Sequence, residues 1–186
     1  MTRATILLLG VMIALGAING RAQTRAAVGT TGTQGPTAAA TFIDAERRTI
    51  GQARLQQTPH GVLLKIELTN ATPGIHALHL HMVGKCDAPS FESAGDHVGT
   101  AAHKHGFLNP AGPHAGDLPN LDVPASTKLS VEYLVANVTL SPGSRSLLDA
   151  DGSALVMHTD KDDYATDPAG GSGDRLACAA IAADPR

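Results

Sequence analysis

The chain is poor in aromatic residues. It has no tryptophan, and aromatics make up 3% of 186 residues. A core built on large rings is excluded, so valine, leucine, isoleucine and alanine must fill it. No apolar run reaches the roughly 20 residues of a membrane-spanning helix. The longest, Ile6 to Ile18, stands near the N-terminus. Excess positive charge is missing too, with 14 Lys and Arg against 17 Asp and Glu. A chain with no basic patch has nothing to neutralise phosphates, which argues against a nucleic-acid partner. Cysteine is scarce, with only Cys86 and Cys178.

The N-terminus has the layout of a secretory signal peptide. Arg3 precedes the apolar run, and Asn19-Gly20-Arg21-Ala22 supplies small residues for a cut after Ala22. The expected divisions are a signal peptide over 1–22, a flexible linker over 23–38 and one folded domain over 39–186. The linker segment is rich in Ala, Gly, Thr and Gln, with too little apolar surface to fold. In an exported chain, an even cysteine count suggests one disulfide, and two buried thiols are the alternative.

Alternating segments read as half-buried strands: Thr41 to Ala45, Gly51 to Gln56, Val62 to Leu68, Val131 to Leu140, Ala154 to His158 and Cys178 to Ala182. Turn signals separate them, among them Thr72-Pro73-Gly74, Ser141-Pro142-Gly143 and Asp151-Gly152. Many short strands with little helix predict an all-β fold, an antiparallel sandwich or barrel. Two stretches, 87–120 and 159–175, are long, polar and glycine-rich, the profile of functional loops.

Histidine is plentiful, with nine residues. Successive strand side chains face opposite ways. In Leu78-His79-Leu80-His81 both imidazoles therefore share one face and both leucines the other. One rigid strand then presents two ligands to one ion. The first long loop adds His97, His105, His114 and Asp117, and His158 closes an apolar strand. Six imidazoles and a carboxylate suffice for two adjacent sites, and imidazole suits copper and zinc. His76 has the parity of the leucines and reads as a hydrogen-bonded histidine at a strand start. His60 reads as exposed. His103 competes with His105 for a metal role, and the spacing favours His105.

These motifs together resemble the Cu,Zn superoxide dismutase family, bacterial exported type. Gly74 to His81 is similar to the family's copper-binding signature, and Ser93-Ala94-Gly95-Asp96-His97 to its bridging-histidine segment. Lys104-His105-Gly106 and His114-Ala115-Gly116-Asp117-Leu118-Pro119-Asn120 resemble its zinc loop. Val156-Met157-His158 resembles its last copper ligand, and Asp174-Arg175-Leu176-Ala177-Cys178 its arginine and disulfide motif. Leu78 and Val98 stand where many members have phenylalanine, and the segment from Cys86 to His97 is longer than in many members.

The resemblance implies an antiparallel Greek-key β-sandwich or barrel with two long functional loops. It implies copper on His79, His81, His97 and His158, and zinc on His97, His105, His114 and Asp117, with His97 shared. Asp162 matches a carboxylate linking His79 to His105, although Asp160 and Asp163 leave its register open. Arg175 would attract the substrate, and Cys86 would pair with Cys178. The implied activity is dismutation of superoxide by a redox-cycling copper with a structural zinc. The setting would be the periplasm or outside the cell, as a monomer or homodimer with no membrane span after cleavage. A noncatalytic metal carrier of the same fold and a zinc hydrolase are the competing readings. A zinc hydrolase needs an open coordination position, whereas the implied zinc shell is full.

Overall fold

The computed structural model describes residues 35–185, and the signal-peptide segment and most of the linker segment lie outside them. The described residues form nine strands: β1 (Thr37–Asp44), β2 (Thr49–Thr58), β3 (Gly61–Leu68), β4 (Gly74–His76), β5 (Leu78–His81), β6 (Leu121–Val123), β7 (Leu129–Val135), β8 (Ala154–His158) and β9 (Arg175–Ala183). Among the described residues the helical content is one short 3-10 turn at Glu92–Ala94.

Seven strands form one antiparallel sheet in the order β5-β8-β9-β1-β2-β3-β7, and β4 pairs with β6. The last strand returns to lie beside the first, the defining move of a Greek key. The sheet curls around its own apolar face. Val62, Leu64, Ile66 and Leu68 are all buried, as their shared parity requires. They meet Phe42, Leu55, Leu80, Leu155 and Met157 in one core. Aliphatic side chains and alanine dominate this core, and Phe42 is its one fully buried ring.

Three boundaries differ from the sequence expectations. Strand β1 begins at Thr37, so the segment read as linker over 23–38 overlaps the fold by two residues. Ala38 is already buried there, opposite Ala183 of β9. Strand β7 stops at Val135, short of the expected Leu140. Beyond it the chain turns, although Val138 and Leu140 still reach the core. Strand β9 starts at Arg175, three residues before the expected Cys178.

Cys86 and Cys178 form a disulfide across a separation of 92 residues. It joins β9 to the loop that follows β5. Around it Phe91, Ala94, Ala154 and Val156 form a second, smaller core.

Candidate metal centre

Strand β5 does what its alternation requires. Leu78 and Leu80 enter the main core. His79 and His81 project from the opposite face and are themselves fully buried under loops. The first long loop reaches them by pairing along the outer edge of β5. Val98 N donates to Leu80 O, Leu80 N to Gly116 O, and Met82 N to Asp96 O, at 2.8–2.9 Å. This backbone pairing sets His97 opposite His81 and Asp117 opposite His79. His158 comes from β8, where it pairs with Arg175 across an irregularity in the β8–β9 register. Such irregularities re-aim side chains beside functional sites.

Two groups of ligand atoms result, each within 4.8 Å: His79, His81, His97 and His158, then His79, His97, His105 and Asp117. His79 and His97 belong to both. The second group also touches His114, whose Nδ1 lies 3.3 Å from Asp117 Oδ1. The same carboxylate oxygen is 3.2 Å from His97 Nδ1 and 3.0 Å from His105 Nδ1. A tetrahedral zinc with bonds of about 2.0 Å has ligand-to-ligand edges of about 3.3 Å. These three separations are close to such edges, so His114 lies within reach of the second group beside His97, His105 and Asp117.

The unpaired polar atoms make the strongest case for ions. Five buried imidazole nitrogens make no well-aligned hydrogen bond: His79 Nδ1, His81 Nε2 and His158 Nε2, and also His105 Nδ1 and His114 Nδ1, which have the Asp117 carboxylate beside them. Buried polar atoms are rarely left so. In four of these rings the other nitrogen is held by an oxygen. His79 Nε2 and His105 Nε2 donate to Asp162 at 2.8 and 2.9 Å. His81 Nδ1 donates to Gly95 O at 2.8 Å. His158 Nδ1 faces Ser172 Oγ at 3.2 Å and Gly173 O at 3.4 Å. An N–H fixed on one side leaves the lone pair of the opposite nitrogen aimed inward, as metal-ligating histidines require. Copper and zinc both suit this donor set.

The electrostatics agree for three of these rings, and in His105 the two carboxylates favour the charged form instead. Burial pushes His79 down to about 4, His158 to about 3 and His81 to about 2, helped in each by the neighbouring His97. All three are neutral at pH 7, the protonation state in which imidazole binds metal. Burial also works against a charged His105, but Asp117 and Asp162 outweigh it and raise that ring to about 9. Both carboxylates are held well below the usual range: burial alone would raise them, and His105 leads the contacts that lower them.

Of the three acids that sequence left open, Asp162 is the one bonded to both rings. Asp163 instead caps its own turn, accepting from the amides of Ala165 and Thr166 at 2.8 Å. Asp160 is exposed near Thr159. Asp162 is itself clamped. Its amide donates to Asn120 Oδ1 at 2.8 Å, and its carbonyl accepts from Asn120 Nδ2 at 2.9 Å. Gly170, at φ +67°, lies so close that a Cβ there would strike Asp162 Oδ1.

Arg175 is half-buried beside His81, His97 and His158 in an open cleft. Its Nη1 donates to Phe91 O at 2.6 Å and its Nη2 to Gly95 O at 2.7 Å. Gly95 O therefore accepts from both Arg175 and His81. His76 stays outside the two groups, its ring nitrogens facing the carbonyls of His158 and Thr72. His60 and His103 are exposed. The sequence assigned no role to Asn120, Gly95 or Ser172. Asn120 was visible in its motif, but carbonyl acceptors such as Gly95 O leave no side-chain signal.

An antiparallel β-sandwich that closes two adjoining histidine-rich sites under paired loops belongs to the class of dinuclear metalloproteins. The family is given by comparison. The family model for copper/zinc superoxide dismutase matches residues 49–181, and the chain belongs to that family. Superoxide dismutase [Cu-Zn] of Caulobacter vibrioides is 48% identical over 134 residues, covering 70% of this chain and 77% of the relative. Superoxide dismutase [Cu-Zn] 1 of Aquifex aeolicus is 44% identical over 144 residues, covering 76% and 85%. Among solved structures, a SOD-like protein from Bacillus subtilis superposes with a TM-score of 0.73 at 37% identity, covering 76% of this chain and 96% of that one. The Cu/Zn superoxide dismutase of Brucella abortus gives 0.63 at 26% identity, covering 78% and 99%. The family's metals are copper and zinc, and the Caulobacter and Aquifex relatives are named as superoxide dismutases, which are oxidoreductases.

Proposed function

We propose that this chain is an exported enzyme that protects its compartment from superoxide, with copper on His79, His81, His97 and His158 and zinc on His97, His105, His114 and Asp117. Two superoxide anions and two protons become dioxygen and hydrogen peroxide. The observation that carries the assignment is the set of five buried imidazole nitrogens that make no well-aligned hydrogen bond. Bound copper supplies a centre that accepts and returns one electron, while zinc, with a full d shell, is redox-silent.

The rest of the chemistry falls to the chain. Arg175 is an always-charged fork that attracts the anion. With two of its nitrogens held by carbonyls, its position is fixed. His97 faces Asp117 through Nδ1, which leaves Nε2 toward the copper ligands. That nitrogen takes up a proton and passes it to the product. Asp162 fixes the tautomers of His79 and His105 together, so it couples the geometry of the two sites.

The ligand assignment is tested by metal content. Wild type should retain one copper and one zinc per chain after dialysis. His158→Ala should lose copper and keep zinc, and His114→Ala the reverse. Loss of both metals from each variant, with the fold intact, would overturn the division into two sites. Export is tested by intact-mass analysis of the secreted or periplasmic fraction, where the chain should begin at Gln23. Recovery only in the cytoplasm with the N-terminus uncut would contradict it.

A further inference from the structure

The cleft that leads to His81, His97 and His158 is lined by one permanent cation, Arg175, and by three acids, Glu92, Asp96 and Asp174. All three acids are exposed, and none has an ion-pair partner among the described residues. No lysine lines the cleft. Lys104 is already paired with Asp167, and neither Lys85 nor Lys161 lines the cleft. Arg175 spends its hydrogen bonds on carbonyl groups, so no carboxylate neutralises it directly. It nevertheless feels the acids. Burial makes it less prone to stay protonated, and Glu92 and Asp96 pull the other way.

We propose that Glu92, Asp96 and Asp174 form a carboxylate rim that opposes Arg175 and slows capture of the anionic substrate. This rests on the reading that the cleft receives superoxide. Clefts focus the field of the charges that line them, and steering of this kind is already known for superoxide dismutases. The new element is its opposition in this chain by unpaired acids at the mouth. Asp96 directly precedes His97 and Asp174 directly precedes Arg175, so two of the acids flank residues placed at the reacting centre. In a watery cleft, one unit charge roughly 9 Å from the path changes the local concentration of a monovalent anion about twofold. Three together amount to about five- to tenfold at low salt.

The test uses the full mature chain loaded with copper and zinc, beside Glu92→Gln, Asp96→Asn, Asp174→Asn and the triple variant. Superoxide decay is followed from about 10 mM to about 0.5 M ionic strength, where the Debye length shrinks from about 30 Å to below 5 Å. Each single variant should be about twofold faster than wild type at low salt, and the triple about five- to tenfold faster. All should converge on the wild-type rate at high salt. Azide, a monovalent anion titrated against the copper absorption band, should bind the triple variant more tightly by a similar factor at low salt. Equal rates and equal azide affinities at 10 mM would overturn the rim. A gain that persists undiminished at 0.5 M would also overturn it, since it would report altered shape rather than charge. If wild type does not accelerate superoxide decay, the functional reading fails, and the azide titration still decides the rim.

Discussion

Replacing Asp162 by alanine should damage both metal sites at once. The carboxylate is buried and accepts from His79 Nε2, His105 Nε2 and the Tyr164 amide at 2.6–2.9 Å. Truncation strands these three donors, each at a cost of about 1–3 kcal/mol if no water replaces the acceptor. Part of that is recovered, because a buried carboxylate no longer needs desolvating. A net loss of about 2–5 kcal/mol in the metal-free protein is expected. Both rings also lose the acceptor that fixes their tautomer, which typically weakens metal binding 10- to 100-fold. That range corresponds to about 1.4–2.7 kcal/mol at each site. Chelator competition, run separately for zinc and copper, reads both affinities, and chemical denaturation reads the stability. Asp163→Asn, an exposed neighbour, serves as the control and should change neither affinity. Affinities within twofold of wild type at both sites would refute the coupling.

Gly170→Ala should mimic this loss, because its Cβ meets Asp162 Oδ1 and the backbone there is left-handed; a stability loss of about 1–3 kcal/mol is expected by calorimetry. Reducing the Cys86–Cys178 disulfide, or replacing Cys178 by serine, reopens a loop spanning 92 positions and should cost up to about 4–5 kcal/mol in denaturant unfolding. The metal-free protein should be acid-sensitive. His79, His81 and His158 titrate at about 4, 2 and 3 when folded, below the ordinary value of 6.5, so the unfolded chain binds more protons. Stability should fall as pH drops from about 6.5 toward 4. His105 has the opposite sign: its contribution is full below pH 6.5 and is lost as pH rises through about 9. Urea midpoints across pH 4 to 10 should therefore trace a fall at each end, and a profile flat below pH 6.5 would contradict the buried neutral rings.

Strand β5 was fully legible in the sequence, because alternation fixes which side chains share a face. The same logic predicted the burial of Val62, Leu64, Ile66 and Leu68. The start of β1 was hidden. Thr37-Ala38-Ala39-Ala40 carries little hydrophobic signal, yet its alanines suit a strand laid against the alanine-rich end of β9. The overrun of β7 has the reverse cause, since Val138 and Leu140 enter the core from a turn and prolong an apolar pattern past the strand. Strands β4 and β6, of three residues each, are too short for any period to show. The loop residues His97, His105, His114 and Asp117 stood out by residue type, and only motif resemblance divided them between two metals. What sets them in place is backbone pairing with β5, and no side-chain pattern records it. The choice among Asp160, Asp162 and Asp163 needed coordinates for the same reason.

The two histidine-rich sites are proposed to make a copper-dependent dismutase. Its most direct test is the superoxide decay rate of the mature chain carrying one copper and one zinc, beside the same chain carrying zinc alone. Rapid decay that requires copper, and that slows when Arg175 is replaced by methionine, is the expected result. No acceleration over the zinc-only protein, with copper confirmed on His79, His81 and His158, would contradict a dismutase.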